Sequence, residues 1–397
     1  MLGGGDGSGS GSGSEGGQLM QQLAKDTNAW ACYDCGKCTA TCPITRAGAD
    51  YSPRRHVLAT NLANEGEINR DESLFACLTC SLCDSRCPAE VGYTQLVQKL
   101  RERAFDAKIQ PECPHGGALQ SVMRMMAQGG TQQNRLSWLD DGLQTSPSEG
   151  EVFLWTGCTM YYDAFFPEFG LTTVEGTRAA VRLLNHLGVT PVVSPDERCC
   201  GHDLLWNGDR ASFDALAKHN VELVKSSGAE LVVTPCAECV RTWLLDYQPF
   251  LEGSKIRVQH LTEYLLEHRD DLGLTNGKAS TRVTFQDPCR LGRHLGVYHA
   301  PREVLSEVPG LELEEMRRSG RRSACCAGGT WSNCDKFAKQ IQVERLREAK
   351  ATGAEVLVTA CPKCQVHLAC AMKNPNIGKE ISIEMRDVAE VVASALV

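Results

Sequence analysis

The chain has 397 residues, 42% of them hydrophobic, and a formal net charge of -8. It is long enough for two or three domains with real cores, and it lacks the basic excess that nucleic acid or an anionic membrane surface would require. No run approaches about 18 consecutive apolar residues, so no transmembrane helix is expected. The polar, glycine-rich start has no apolar stretch of the kind a secretory signal needs. A cytoplasmic location, or attachment to a membrane through a partner alone, is the expectation. The 21 cysteines are the outlying number. In a chain of this size they are not needed as staples, and nearly all fall into C-x-x-C or C-C groups, as metal ligands do.

In chain order, residues 1–17 alternate Gly and Ser with almost nothing to bury and read as a flexible leader or tag. Residues 18–110 read as a small helical domain, because RRHVLATNLANEG and YTQLVQKLRERAFDAK carry apolar residues at three- and four-residue spacing. Two cysteine runs sit in this domain. CYDCGKCTATCP holds Cys32, Cys35, Cys38 and Cys42, and CLTCSLCDSRCP holds Cys77, Cys80, Cys83 and Cys87. Both have the C-x2-C-x2-C-x3-C-P spacing of bacterial ferredoxins, in which the fourth cysteine of each run ligates the other run's cluster. One 4Fe-4S cubane is therefore expected on Cys32, Cys35, Cys38 and Cys87, and a second on Cys77, Cys80, Cys83 and Cys42. Structural zinc is the competing assignment, and a doubled run of this form argues against it. A di-cluster ferredoxin domain of this kind is a wire with no substrate chemistry of its own.

Residues 111–150 hold one helical pattern between Pro/Gly/Ser-rich flanks and read as a connector. From 151 onward, EVFLWTGC, TPVVSP, AELVVTPC, RVTFQDPC and AEVLVTAC read as buried strands alternating with amphipathic helices, which predicts a parallel α/β arrangement. GAELVVTPCAEC (228–239) and GAEVLVTACPKC (353–364) agree at seven of twelve positions. Two homologous α/β units, 151–275 and 276–397, follow from that repeat.

Each unit carries five cysteines. The first has Cys158, Cys199, Cys200, Cys236 and Cys239, and the second has Cys289, Cys325, Cys326, Cys361 and Cys364. Four of these come at the ends of predicted strands, the rim where open α/β sheets bind ligands. The adjacent pairs Cys199-Cys200 and Cys325-Cys326 make poor disulfides. Neighbouring Cα atoms lie only about 3.8 Å apart, whereas a disulfide spans roughly 4.4–6.8 Å. Five thiols exceed the needs of one cubane or one zinc ion, so either one is spare or the cluster is unusual. Cys113, Cys334 and Cys370 fall outside all four sets and read as buried small hydrophobes.

A doubled CCG pentad behind a doubled ferredoxin run resembles the heterodisulfide reductase family, specifically its D-type subunit, a natural fusion of the C- and B-type subunits. The resemblance covers about residues 28–370. It implies that each pentad holds a noncubane 4Fe-4S cluster, two smaller iron–sulfur units fused through shared atoms. It also implies an oxidoreductase acting on sulfur groups, with a small disulfide or thiol substrate held between the two noncubane clusters. Electrons would then enter through the ferredoxin pair from a flavin-containing or membrane cytochrome subunit in trans, within a multisubunit complex that binds no nucleic acid. A pure electron-relay subunit of a quinone-linked dehydrogenase or benzoyl-CoA reductase-type complex is the alternative. The second doublet departs from the pattern, with Ala327 where glycine is usual, and Ala resists a left-handed backbone; Gly328 and Gly329 offer a shifted turn. His202, after the first doublet, is the candidate proton donor to a leaving thiolate, with a structural role as its alternative. Arg290, Arg293 and His294 could hold an anionic group or lie on a solvated helix face. Trp155, Trp206, Trp243 and Trp331 could keep water from the clusters or simply fill the core.

Overall fold

The computed structural model describes residues 15–68, 71–130, 132–275 and 281–396. Residues 1–14 of the Gly/Ser stretch lie outside the described residues, and a helix, Glu15–Asp26, begins at its last residues. The N-terminal part is helical. In Tyr93–Asp106 the residues Tyr93, Leu96, Val97, Leu100 and Ala104 recur at three- and four-residue spacing and are buried.

Two parallel sheets follow. The first contains β1 (Val152–Leu154), β2 (Leu231–Thr234) and β3 (Arg257–His260) in the order β1-β2-β3. The second contains β4 (Thr281–Gln286), β5 (Leu311–Leu313), β6 (Val356–Thr359) and β7 (Glu384–Asp387) in the order β5-β4-β6-β7. LVVT in β2 and VLVT in β6 are buried at every position, as central strands covered on both faces must be. TPVVSP makes only bridges, through Val192 to Phe153 and Ser146. That bridge lies beside β1 as β5 lies beside β4, so the two sheets have one plan. The edge strands β3, β5 and β7 have no counterpart among the predicted strands, because RVQH, LEL and EMRD are partly exposed and carry no apolar run.

The halves dock reciprocally. Thr173–His186, after β1, packs on Val388–Ala393, after β7, and Leu261–Glu267, after β3, packs on His299–Ser306, after β4. The first contact is close because Gly176 has no side chain: a Cβ there would lie 2.9 Å from that of Asp387. At the strand ends, His260 Nε2 donates to the Ala360 carbonyl at 3.3 Å. This docking brings the C-terminal rims of the two sheets together. The connector region is tied in as well. Its helix Ala118–Gln128 buries Met123 and Met126 in one cluster with Cys158 and Cys199, and the Cys199 amide reaches Met126 Sδ at 3.4 Å.

Candidate metal centres

The two ferredoxin runs have one backbone. The second residue after each leading cysteine is left-handed (Asp34 φ 54°, Thr79 φ 49°), and so is the fourth (Gly36 φ 72°, Ser81 φ 58°). This curls each run around its thiols and turns amide N–H groups onto sulfur, from Asp34 to Cys32 at 3.4 Å and from Thr79 to Cys77 at 3.3 Å. Cys32, Cys35, Cys38, Cys83 and Cys87 line one cavity. Cys42, Cys77, Cys80 and Cys83 line another. Tyr93 borders both cavities. A buried chain runs from it. Tyr51 and Tyr93 share a hydroxyl hydrogen bond of 2.5 Å, and His56 bridges Tyr93 (2.6 Å) to Asp71 (2.9 Å). Burial works to raise the Asp71 carboxyl, but hydrogen bonds from His56 and Ser73 outweigh it and hold it at about 2.

Each pentad gathers at its sheet's rim. Cys239 and Cys200 have sulfurs 3.6 Å apart, and Cys364 and Cys326 have sulfurs 3.2 Å apart. Cys158 contacts Cys199, and Cys289 contacts Cys325. The loop before Cys158 is pinned by Glu197, a residue with no visible role in the sequence. Its buried carboxylate accepts from the amides of Thr156 (3.1 Å) and Gly157 (2.8 Å) and pairs with buried Arg135 at 2.5 Å. In the doublet turns, Gly201 has φ 77° and Ala327 has φ 58°. No shift to Gly328 occurs: Ala327 itself takes the left-handed conformation, with its side chain fully buried. A side chain would be worse at Gly201, where a Cβ would stand 2.9 Å from Phe213 Cδ2.

The sites also adjoin one another. Cys80 of the second ferredoxin run contacts Cys325 of the second pentad, and Cys361 of that pentad contacts Cys236 of the first. Cys236 and Cys361 are equivalent positions of the internal repeat, so the pentads meet about its approximate two-fold. Two positions further on, the equivalent pair is Glu238 and Lys363, of opposite charge. Lys363 is buried and pairs with Glu238 at 2.7 Å and with Asp203 at 2.5 Å. Burial alone would depress this ammonium, but the two carboxylates push its pKa well up.

His202 is buried beside this pair with both ring nitrogens engaged. Nδ1 donates to Asp203 at 2.9 Å, and Nε2 accepts from Arg290 at 2.8 Å. Burial and the neighbouring Arg290 hold its pKa well below the usual imidazole value. This histidine is a neutral brace in its present setting. Arg290 is buried and neither solvated nor free for an anion. It donates to the Thr79 carbonyl (2.6 Å), to Thr79 Oγ1 (2.7 Å) and to His294 Nε2 (2.8 Å), with its guanidinium 4.3 Å from the Trp206 ring centre. Arg293 donates to the Cys80 carbonyl (2.6 Å) and the Ser323 carbonyl (2.7 Å). Arg101 belongs with them although nothing in the sequence marks it: it is fully buried and donates to the carbonyls of Leu74, Cys77 and Trp206. These three arginines clamp the second ferredoxin run onto both α/β halves.

Iron–sulfur clusters fit this setting on three counts. Burial pushes lone thiols up, Cys42 to about 12, and iron supplies the positive charge that keeps such sulfurs as thiolates. Gly157 leaves a cradle, since a Cβ there would come within 3.1 Å of Cys239 Sγ. The indole N–H groups of Trp155, Trp206, Trp243 and Trp331 are buried without a hydrogen-bond partner in the protein, so they are donors that sulfide could satisfy. All 21 cysteines are described, and none is in a disulfide.

A helical module with two ferredoxin-type cysteine runs, packed on two docked α/β units with CC-doublet rims, defines a class of iron–sulfur oxidoreductase subunits. The family comparisons agree: the chain matches a 4Fe-4S dicluster domain at 31–92 and a Cysteine-rich domain twice, at 152–242 and 283–369. The chain belongs to the doubled-CCG-domain iron–sulfur family that includes the D-type heterodisulfide reductase subunits. It is 35% identical over 275 residues to the D-type subunit of the dihydromethanophenazine:CoB--CoM heterodisulfide reductase of Methanosarcina acetivorans, a match covering 67% of this chain and 63% of that one. The matches to this protein and to its counterparts from two further Methanosarcina species thus span less than two thirds of those relatives. It is 24% identical to the B-type subunit of the fumarate reductase (CoM/CoB) of Methanothermobacter marburgensis, over 87% of this chain and 69% of that one. A hypothetical protein from Helicobacter pylori shares the fold, with TM-score 0.53 and 9% identity, over 97% of this chain and 73% of that one.

Proposed function

We propose that the chain is the iron–sulfur catalytic subunit of a heterodisulfide-reductase-like complex, reducing a small disulfide or oxidising thiols. In this reading two cubanes are held by Cys32, Cys35, Cys38, Cys87 and by Cys77, Cys80, Cys83, Cys42, and two noncubane 4Fe-4S clusters by the two pentads. When bound, the clusters supply the one-electron steps that S–S cleavage requires. The observation that carries the reading is the continuous series of thiol contacts, Cys80 to Cys325 and Cys361 to Cys236, which links the wire to both pentads. A cleft lined by Arg46, Arg86, Arg318 and Arg322 reaches Cys325 and offers an anionic disulfide a route inward. His202 acts as a positioning residue that holds Arg290 and Asp203. Electrons enter through the first cubane from a flavin or cytochrome subunit in trans. Among the described residues no helix is long and apolar enough to cross a membrane.

One observation favours the relay alternative, in which the substrate sits on another chain of a quinone-linked dehydrogenase or benzoyl-CoA reductase-type assembly. The space beside Cys361 and Cys236 is filled by the buried Lys363–Glu238–Asp203 ion pairs. Stopped-flow spectroscopy of anaerobically reduced holoprotein separates the two readings. Reoxidation on adding a small anionic disulfide supports the reductase, and unchanged reduced clusters in fully loaded protein leave only the relay.

A further inference from the structure

The three cysteines outside the ligand sets are not the buried hydrophobes that their surplus predicts. Cys334 is exposed, and Cys113 and Cys370 are partly exposed. Two of them meet: the side chains of Cys334 and Cys370 are in contact. A third side chain joins them, with Lys339 Nζ donating to Cys370 Sγ at 2.7 Å. The trio comes from three segments. Cys334 lies in the loop after the second doublet, Lys339 on the helix Lys336–Ala351, and Cys370 on the helix Pro362–Met372.

We propose that Cys334 and Cys370 form a thiol–disulfide exchange site that reacts with low-molecular-weight disulfides. The Cys370 thiolate attacks one sulfur of the disulfide RSSR, forming a protein–SR mixed disulfide and expelling RS⁻. Cys334 then gives up its proton and attacks the Cys370 sulfur, closing the Cys334–Cys370 bond and expelling the second RS⁻. Two protein thiols are oxidised, one RSSR is reduced to two RSH, and the protons on the products replace those lost by the cysteines. Reduced RSH in excess reverses both steps.

The surroundings assign the roles. The contact with Cys334 and the hydrogen bond from the Lys339 ammonium outweigh burial and bring the Cys370 thiol down to about 5, whereas Cys334, on the other side of that contact, is pushed well up. A lowered, partly exposed thiolate beside a cation is the environment of reactive cysteines. The location gives the bond a consequence. Cys364, a proposed ligand, shares the helix of Cys370, and Cys325 and Cys326 lie in the same connecting segment as Cys334. Oxidation would tie that segment to that helix at the edge of the second pentad. The site needs no cluster chemistry, so it stands independently of the proposed activity.

The test is peptide mapping of the holoprotein after anaerobic incubation with oxidised glutathione, acid quench and alkylation. Wild type is expected to yield a linked Cys334–Cys370 peptide without glutathione. Cys334→Ser is expected to trap one glutathione on Cys370, and Cys370→Ser to acquire at least tenfold less on Cys334 in the same time. Unchanged iron content in both variants shows that they are folded. Separate adducts on the two cysteines of wild type, two unreacted thiols, or an equal yield at Cys334 in Cys370→Ser would overturn the proposal.

Discussion

Replacing Arg101 by Met tests how the helical ferredoxin-type module is held to the rest of the molecule. Arg101 is fully buried and makes four hydrogen bonds to three backbone carbonyls: two to Leu74 (3.0 and 2.8 Å), one to Cys77 (2.7 Å) and one to Trp206 (2.9 Å). Methionine fills most of the volume and donates nothing. The Leu74 carbonyl keeps the Cys77 amide at 3.5 Å, whereas those of Cys77 and Trp206 lose their donor; a buried carbonyl left without a partner costs about 1–3 kcal/mol, so two cost roughly 2–6 kcal/mol. Removing the buried guanidinium recovers part of this, because its own desolvation is no longer carried. Burial depresses the Arg101 pKa, the sign of that cost. The expected net loss is about 2–4 kcal/mol. It falls on the segment bearing Cys77 and on its junction with the first α/β half. Anaerobic denaturant unfolding should show a lower midpoint, and iron analysis should show selective loss from one ferredoxin-type cluster. In protein that keeps this cluster, loss of a nearby positive charge should lower its reduction potential. An Arg101→Met protein with wild-type midpoint, iron content and potential would refute the clamp.

Ala327→Gly should stabilise the protein by about 0.5–1 kcal/mol, since it relieves a left-handed alanine, whereas Gly201→Ala should destabilise it by a few kcal/mol through the same backbone cost and the approach to Phe213; unfolding midpoints at equal iron loading measure both. Lys363→Met leaves Asp203 and Glu238 buried without their cation and should cost about 3–5 kcal/mol, and adding Glu238→Gln should return at least half of it in the same unfolding assay. Arg322→Glu in the cleft leading to Cys325 should raise the KM for an anionic disulfide about tenfold with little change in kcat, read in steady-state kinetics at low salt. An unchanged KM would remove the cleft from the proposed substrate route.

The cysteine pattern was legible because ligand spacing is a local property of the chain; in the structure Cys87 lines a cavity with the first run and Cys42 one with the second, while Cys83 lines both. Central strands were legible as continuous apolar runs. Edge strands were not, since β5 and β7 are partly exposed and held by their neighbours. The clamping role of Arg101, Arg290 and Arg293 was not legible, and the last two read as anion-holding or solvated residues, because the backbone carbonyls they bind lie 24 to 213 residues away in sequence. Glu238 and Lys363 were readable in principle: they are a mismatch of opposite sign at one aligned position of the repeat, and an approximate two-fold brings equivalent positions together. Ala327 misled in the other direction, because a tightly packed turn can enforce a left-handed alanine that local preference disfavours.

The central claim is that the two pentads hold noncubane clusters beside two cubanes, and Mössbauer spectroscopy with iron and zinc analysis of anaerobically purified holoprotein tests it most directly. Four 4Fe-4S clusters require about sixteen irons per chain, and the spectrum should divide equally between cubane and noncubane sites. About eight irons, all in cubane sites, with the pentad cysteines open to alkylation or filled with zinc, would contradict the account.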